Sequence, residues 1–129
     1  MPLSADEEIA RAVCTDKWDG ERISPSAFTG PDTSVGRLKI IPLDDHWDLF
    51  RHTVAKPPER LLERIAEINV GRLAELGRTH QPPATVTVEA DPVDLNRAHA
   101  VIPGKRSRGL ATRIRDACGI HTPPPGWRR

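Results

Sequence analysis

The chain has 129 residues, of which 4% are aromatic and none is tyrosine, so it suits one domain with a modest core. Lys and Arg total 19 against 18 Asp and Glu, a balance that argues neither for nor against a polyanion partner. The longest apolar run is far short of the roughly 20 residues a membrane span needs, and no charged start leads into an apolar leader stretch. The chain is therefore expected in the cytoplasm with its two thiols reduced.

Charge is unevenly placed: residues 1–20 carry five acids and two bases, whereas residues 101–129 carry seven bases and one acid. A solvated surface explains this, although a basic interaction end is the other reading. Cys14 and Cys118 have no ligand spacing and are read as core thiols on apolar helix faces.

In chain order, Ser4 and Glu7 have capping-box spacing, and Ile9, Val13 and Cys14 follow at helical spacing, which predicts a helix over 5–14. Trp18 to Gly20 reads as a turn. The stretch ISPSAFTGPDTSVGR, from Ile23 to Arg37, then sets Ser24, Ser26, Thr29, Thr33 and Ser34 around Phe28 on a backbone bent by Pro and Gly. Such hydroxyls either cap their own loop or recognise something. Arg22 and Arg37 at its two ends add the possibility of a bidentate grip on a carboxylate or phosphate.

Val35, Leu38, Ile40 and Ile41 predict a strand over 34–41, ended by Pro42. Leu43, Trp47, Phe50 and Val54 predict a helix over 46–54 behind the caps Asp44 and Asp45. His46 and His52 are six apart, do not share a helix face, and are expected in solvent. Over 61–76 helix and strand patterns compete. The alternation of Ala66, Ile68 and Val70, together with Gly71, favours a strand over 65–70 and helical turns over 71–76. TVTVE predicts the most secure strand, at 85–89.

DPVDLNRAHAVIPG, from Asp91 to Gly104, offers Asp91, Asp94, Asn96 and His99 in a loop or short strand centred on 98–102. His99 has apolar neighbours and is either a core residue or a general acid or base. A helix over 107–118 follows, with Leu110, Ile114 and Ala117 inward. Its outer face carries Arg108 and Arg115, which, with Lys105 and Arg106, form a candidate anion-facing end. Thr122 to Arg129, with three successive prolines, reads as a flexible tail.

The segments ISPSAF…TSVGR and DPVDLNRAHAVIPG, with the basic helix after them, resemble those of a group of short bacterial proteins that have a Ser-rich SxAF turn, an SVxR strand and a late NxxHxxI segment. That group has no established activity. The resemblance covers most of residues 15–118 and implies that Phe28, Ser34, Arg37, Asn96 and His99 belong to one constellation.

Phosphate-loop, GxGxxG, HExxH, GxSxG and zinc-finger spacings are absent, and no cofactor or metal is expected. The fold expected is α+β: a small, mostly antiparallel sheet with helices near both termini over 1–121, followed by the tail at 122–129. Two functions fit. One is a non-catalytic accessory or adaptor protein that binds a protein partner through the Ile23–Arg37 loop, with Arg22, Ser24, Ser26, Asn96, Lys105 and Arg108 as contacts. The other is a small metal-independent enzyme, a ribonuclease or transferase toxin acting on a phosphate-bearing substrate. In it His99 is the acid or base, Arg37 and Arg22 stabilise phosphoryl charge, and Ser34 or Ser26 positions the substrate.

Overall fold

The computed structural model describes residues 2–127 and has an α+β architecture. Six strands form one antiparallel sheet: β1 (Glu8–Cys14), β2 (Thr33–Arg37), β3 (Leu62–Asn69), β4 (Glu89–Ala90), β5 (His99–Ile102) and β6 (Gly119–His121), in the spatial order β4-β5-β2-β1-β3-β6. The helices are α1 (Leu43–Thr53), α2 (Val70–Arg78) and α3 (Arg108–Ala117). Among the described residues no helix is long and apolar enough to cross a membrane.

The helix expected over 5–14 is instead the central strand. EIARAVC is apolar at nearly every position because both faces of β1 are covered, and such a strand mimics helical spacing. Ile9 and Val13 join the core under α2 and α3, whereas Ala10, Ala12 and Cys14 meet Trp47 and Phe50 of α1. The capping-box residues serve otherwise. Ser4 holds Asp6 at 2.6 Å, and Glu7 leaves the turn to meet Arg37. Cys14 thus lies on a strand, and Cys118 caps the end of α3. Burial raises the pKa of both thiols, that of Cys118 to about 12, so neither is a ready nucleophile.

β3 and α2 divide the ambiguous 61–76 stretch as the alternation indicated. The side chain of Asn69 accepts from the Arg72 amide at 3.0 Å and starts the helix at the residue after the strand. A register shift opposite Val13 and Cys14 sends both Leu62 and Ile65 to the α1 side. β2 ends at Arg37 rather than continuing to Ile41, because Ile40 and Ile41 turn back on the Arg37 carbonyl.

TVTVE does not form the strand expected of it. Val86 and Val88 are buried and Thr85 and Thr87 exposed, as alternation requires, yet only Glu89 and Ala90 pair with β5. Their partner strand stops at Ile102, before Pro103, so the preceding residues have no ladder to join.

His46 is also not in solvent. It is fully buried, packs on Phe50 with ring centroids 5.0 Å apart, and lies directly over Gly36, where any Cβ would collide with its imidazole. Nδ1 lies 3.2 Å from the Pro42 carbonyl, and Nε2 is buried with no partner among the described residues. Burial depresses its pKa. His52 is exposed, as expected.

The tail docks. Trp127 packs against Trp47 in a tilted arrangement, with ring centroids 5.4 Å apart, and its indole N–H donates to Asp48 Oδ1 at 2.9 Å. Residues 128 and 129 lie outside the described residues.

Candidate functional site

The Ile23–Arg37 loop is built inward. Ile23 and Phe28 are 1% exposed, and Pro25–Phe28 is a 3-10 turn packed on α3. Ser24 Oγ accepts from the Ser26 amide and meets Ser26 Oγ at 2.8 Å, which in turn accepts from Lys17 at 3.1 Å. Thr29 bonds the Ser26 carbonyl. The hydroxyls are thus largely engaged in self-capping.

The loop is pinned by Arg106, a residue sequence reasoning had assigned to the basic end. Its guanidinium is buried and donates to the carbonyls of Phe28 (2.6 Å) and Pro103 (3.1 Å) and to the Thr33 hydroxyl. Arg115 also leaves that end by folding onto Asp116 at 2.9 Å, while Lys105 and Arg108 remain exposed near the start of α3.

Arg22 and Arg37 do not form a grip. Arg22 lies on an exposed turn lining a surface hollow with Arg115, whereas Arg37 makes a bidentate pair with Glu7, both bonds 2.9 Å. Glu7 holds Arg37 in its charged form. Nor do Arg37 and His99 share a site. His99 is paired across the ladder with Gly36, so the next residue, Arg37, projects from the opposite face of the sheet. The constellation expected of Phe28, Ser34, Arg37, Asn96 and His99 is divided by the pleat: Phe28 lies in the core of one face, and His99 with Ser34 opens on the other.

The structure does bring His99, Ser34 and Asn96 together, in a cleft of about 350 Å³ on the α1 side. Its walls are Ala12, Val35, Phe50 and Val54, with His52 and Thr53 completing the helical side. Asn96 is buried and closes the neighbouring turn by accepting from the Ala98 amide at 3.0 Å. Reciprocal bonds between Val93 and Asn96, 3.1 and 2.9 Å, make a tight turn with Asp94 and Leu95 at its tip. Val93 and Leu95 line the cleft yet are 48% and 85% exposed, so the site has an apolar rim. His99 Nδ1 lies 3.1 Å from Asp91 Oδ2 and 2.9 Å from the Asp91 carbonyl, which fixes the ring.

The cleft exists because β1 and β2 pair only at Ile9 with Arg37 and Ala10 with Gly36. Beyond that point β2 follows β5 and β1 follows β3, and the sheet splits. Arg11 lies at the split and also lines the cleft. Its Nε donates to the Ala27 carbonyl at 3.1 Å and its Nη1 to the Ser34 carbonyl at 3.0 Å. Desolvation lowers its pKa, although a guanidinium keeps its charge at physiological pH. Sequence reasoning missed this residue. Its signal was a single charge inside an apolar run, which stands out once EIARAVC is read as a strand.

Among the described residues no three His, Cys, Asp or Glu side chains gather closely enough to hold a metal ion. Comparisons with protein-family models, curated proteins and solved structures gave no match to this chain.

Proposed function

We propose that this protein is a non-catalytic binding protein and that the cleft between α1 and the β2–β5 part of the sheet takes up an apolar group. The observation that carries this reading is the 350 Å³ apolar cleft with Val93 and Leu95 exposed at its mouth, a volume within the usual range of ligand sites. The Ile23–Arg37 loop is the weaker candidate surface, because its apolar residues are core and Arg37 is held by Glu7. The enzymatic alternative loses the charge meant to face His99, since Arg37 projects from the other side of the sheet.

Titration with 1-octanol, an uncharged probe, followed by methyl NMR tests the reading. Saturable shifts confined to Ala12, Val54, Val93 and Leu95 are expected, and Val54→Asp should abolish them. No saturable shift at millimolar probe, or shifts centred elsewhere, would overturn it. The 85% exposure of Leu95 favours a second reading, in which the apolar group is a side chain of a protein partner, as an accessory protein requires. A photo-crosslinker at position 95 that captures one protein, when the same group at exposed Glu59 does not, separates the two.

A further inference from the structure

The cleft is apolar in its walls but not at the split in the sheet. Arg11 has two carbonyl acceptors, and its Nη2 has no hydrogen-bond partner among the described residues. No described carboxylate forms an ion pair with it; Asp16 acts on it through the field alone. Arg11 is half-buried and its Nη2 is accessible to solvent rather than sealed off, so that donor is free to take an anionic acceptor within the cleft. The nearby acids do not serve Arg11 in that way. Asp91 is on His99, and Asp94 is at the exposed tip of the 93–96 turn.

Arg106 is the instructive contrast. It is buried, has no ion pair among the described residues, donates to carbonyls and a hydroxyl, and lies outside the cleft lining. Arg11 combines an incomplete set of acceptors with a place on the cleft wall. A planar guanidinium matches a carboxylate, and Arg11 shares the cleft lining with the apolar Ala12, Phe50, Val54, Val93 and Leu95. A volume of 350 Å³ holds on the order of a dozen water-sized atoms at roughly 30 Å³ each.

We propose that the ligand of this cleft is a small amphipathic carboxylic acid of roughly ten to twelve non-hydrogen atoms. Its carboxylate lies against Arg11, and its hydrocarbon part runs along Ala12, Phe50, Val54 and Val93. The proposal rests on the binding function above and names the chemical class of its ligand. His99 and Ser34 also line the cleft and provide polar positions for a substituent on the hydrocarbon chain.

Isothermal titration with octanoate, octanamide and octylamine, three probes of nearly equal size, tests the charge. Octanoate should bind roughly tenfold or more tightly than octanamide, the difference expected when a neutral hydrogen bond becomes charge-assisted. Octylamine should bind least. Arg11→Gln should bring octanoate down to the level of octanamide and leave octanamide unchanged. Because Arg11 also ties Ala27 to β2, Arg11→Gln is checked for folding by circular dichroism, and the three-probe series on the native protein stands without it. Equal binding of octanoate and octanamide would overturn the carboxylate assignment and leave the apolar cleft standing. Binding of none of these three probes, nor of octanol, would overturn the binding function itself.

Discussion

The two faces of the sheet are closed to different degrees. On one, α2, α3 and the Pro25–Phe28 turn bury Ile9, Val13, Phe28, Val35, Ile102, Leu110 and Ile114 in a continuous core. On the other, a single helix, α1, covers Ala10, Ala12, Cys14, Leu62 and Ile65, and the β2–β5 side is left with a cleft. Residues on the first face are fixed by packing. Part of the second face is left as an open cleft, so the same strand, β1, serves the core with Ile9 and Val13 and the candidate site with Arg11 and Ala12.

The largest expected difference between the faces comes from Phe28→Ala. The ring is 1% exposed in the closed core, and its loss should lower stability by about 3 to 5 kcal/mol. A change below about 1 kcal/mol in denaturant melts would mean that this face is not the sealed one.

Gly36→Ala probes the point where α1 bears on the sheet. The added methyl meets the His46 imidazole, and overpacking of this kind should cost about 1 to 3 kcal/mol. An unchanged midpoint would show that α1 can lift, making the cleft wall movable.

Trp127→Ala removes the ring packed against Trp47 and the bond to Asp48, for an expected loss of about 1 to 2 kcal/mol. Thermal melts that coincide with the native protein would return the tail to the flexible segment its prolines suggest.

The smallest effect is on pH dependence. The folded-state pKa of His46 is depressed by burial, so below about pH 6.5 the unfolded chain takes up a proton that the folded one refuses. Stability therefore falls as pH drops through that range, by under about 1 kcal/mol between pH 7 and 6 for one such group. His46→Gln should flatten that part of the profile in urea titrations, and an unaltered slope would remove His46 as its source.

Much of the architecture was legible because the relevant signals are local. The alternation at Ala66 and Ile68, the interruption at Gly71, and Leu110 with Ile114 each mark their element within a few residues. The failures share a cause, which is dependence on a distant neighbour. Ile9 and Val13 satisfy both helical and doubly buried strand spacing, and only β2 and β3 on its flanks decide between them. TVTVE has strand chemistry, but its pairing depends on where β5 ends. The site divides along the same line. His99, Ser34 and Asn96 were visible as unusual residues, whereas the separation of Arg37 from His99 follows from the pairing of Gly36 with His99. Arg11 becomes conspicuous only once the two central strands are seen to part.

The sheet's two outer strands are its shortest. β4 has two residues and β6 three, and Pro2 bridges to Glu89 on the outer side of β4. Pro92 and Pro123 follow each strand within two residues of its end. An incoming strand from another molecule finds too few consecutive donors and acceptors to extend the ladder, and short edges of this kind are a recognised guard against sheet-to-sheet association. The four longer strands are all interior. At high concentration the folded molecule should therefore resist fibril-like self-templating, even with the central sheet split open at β1 and β2.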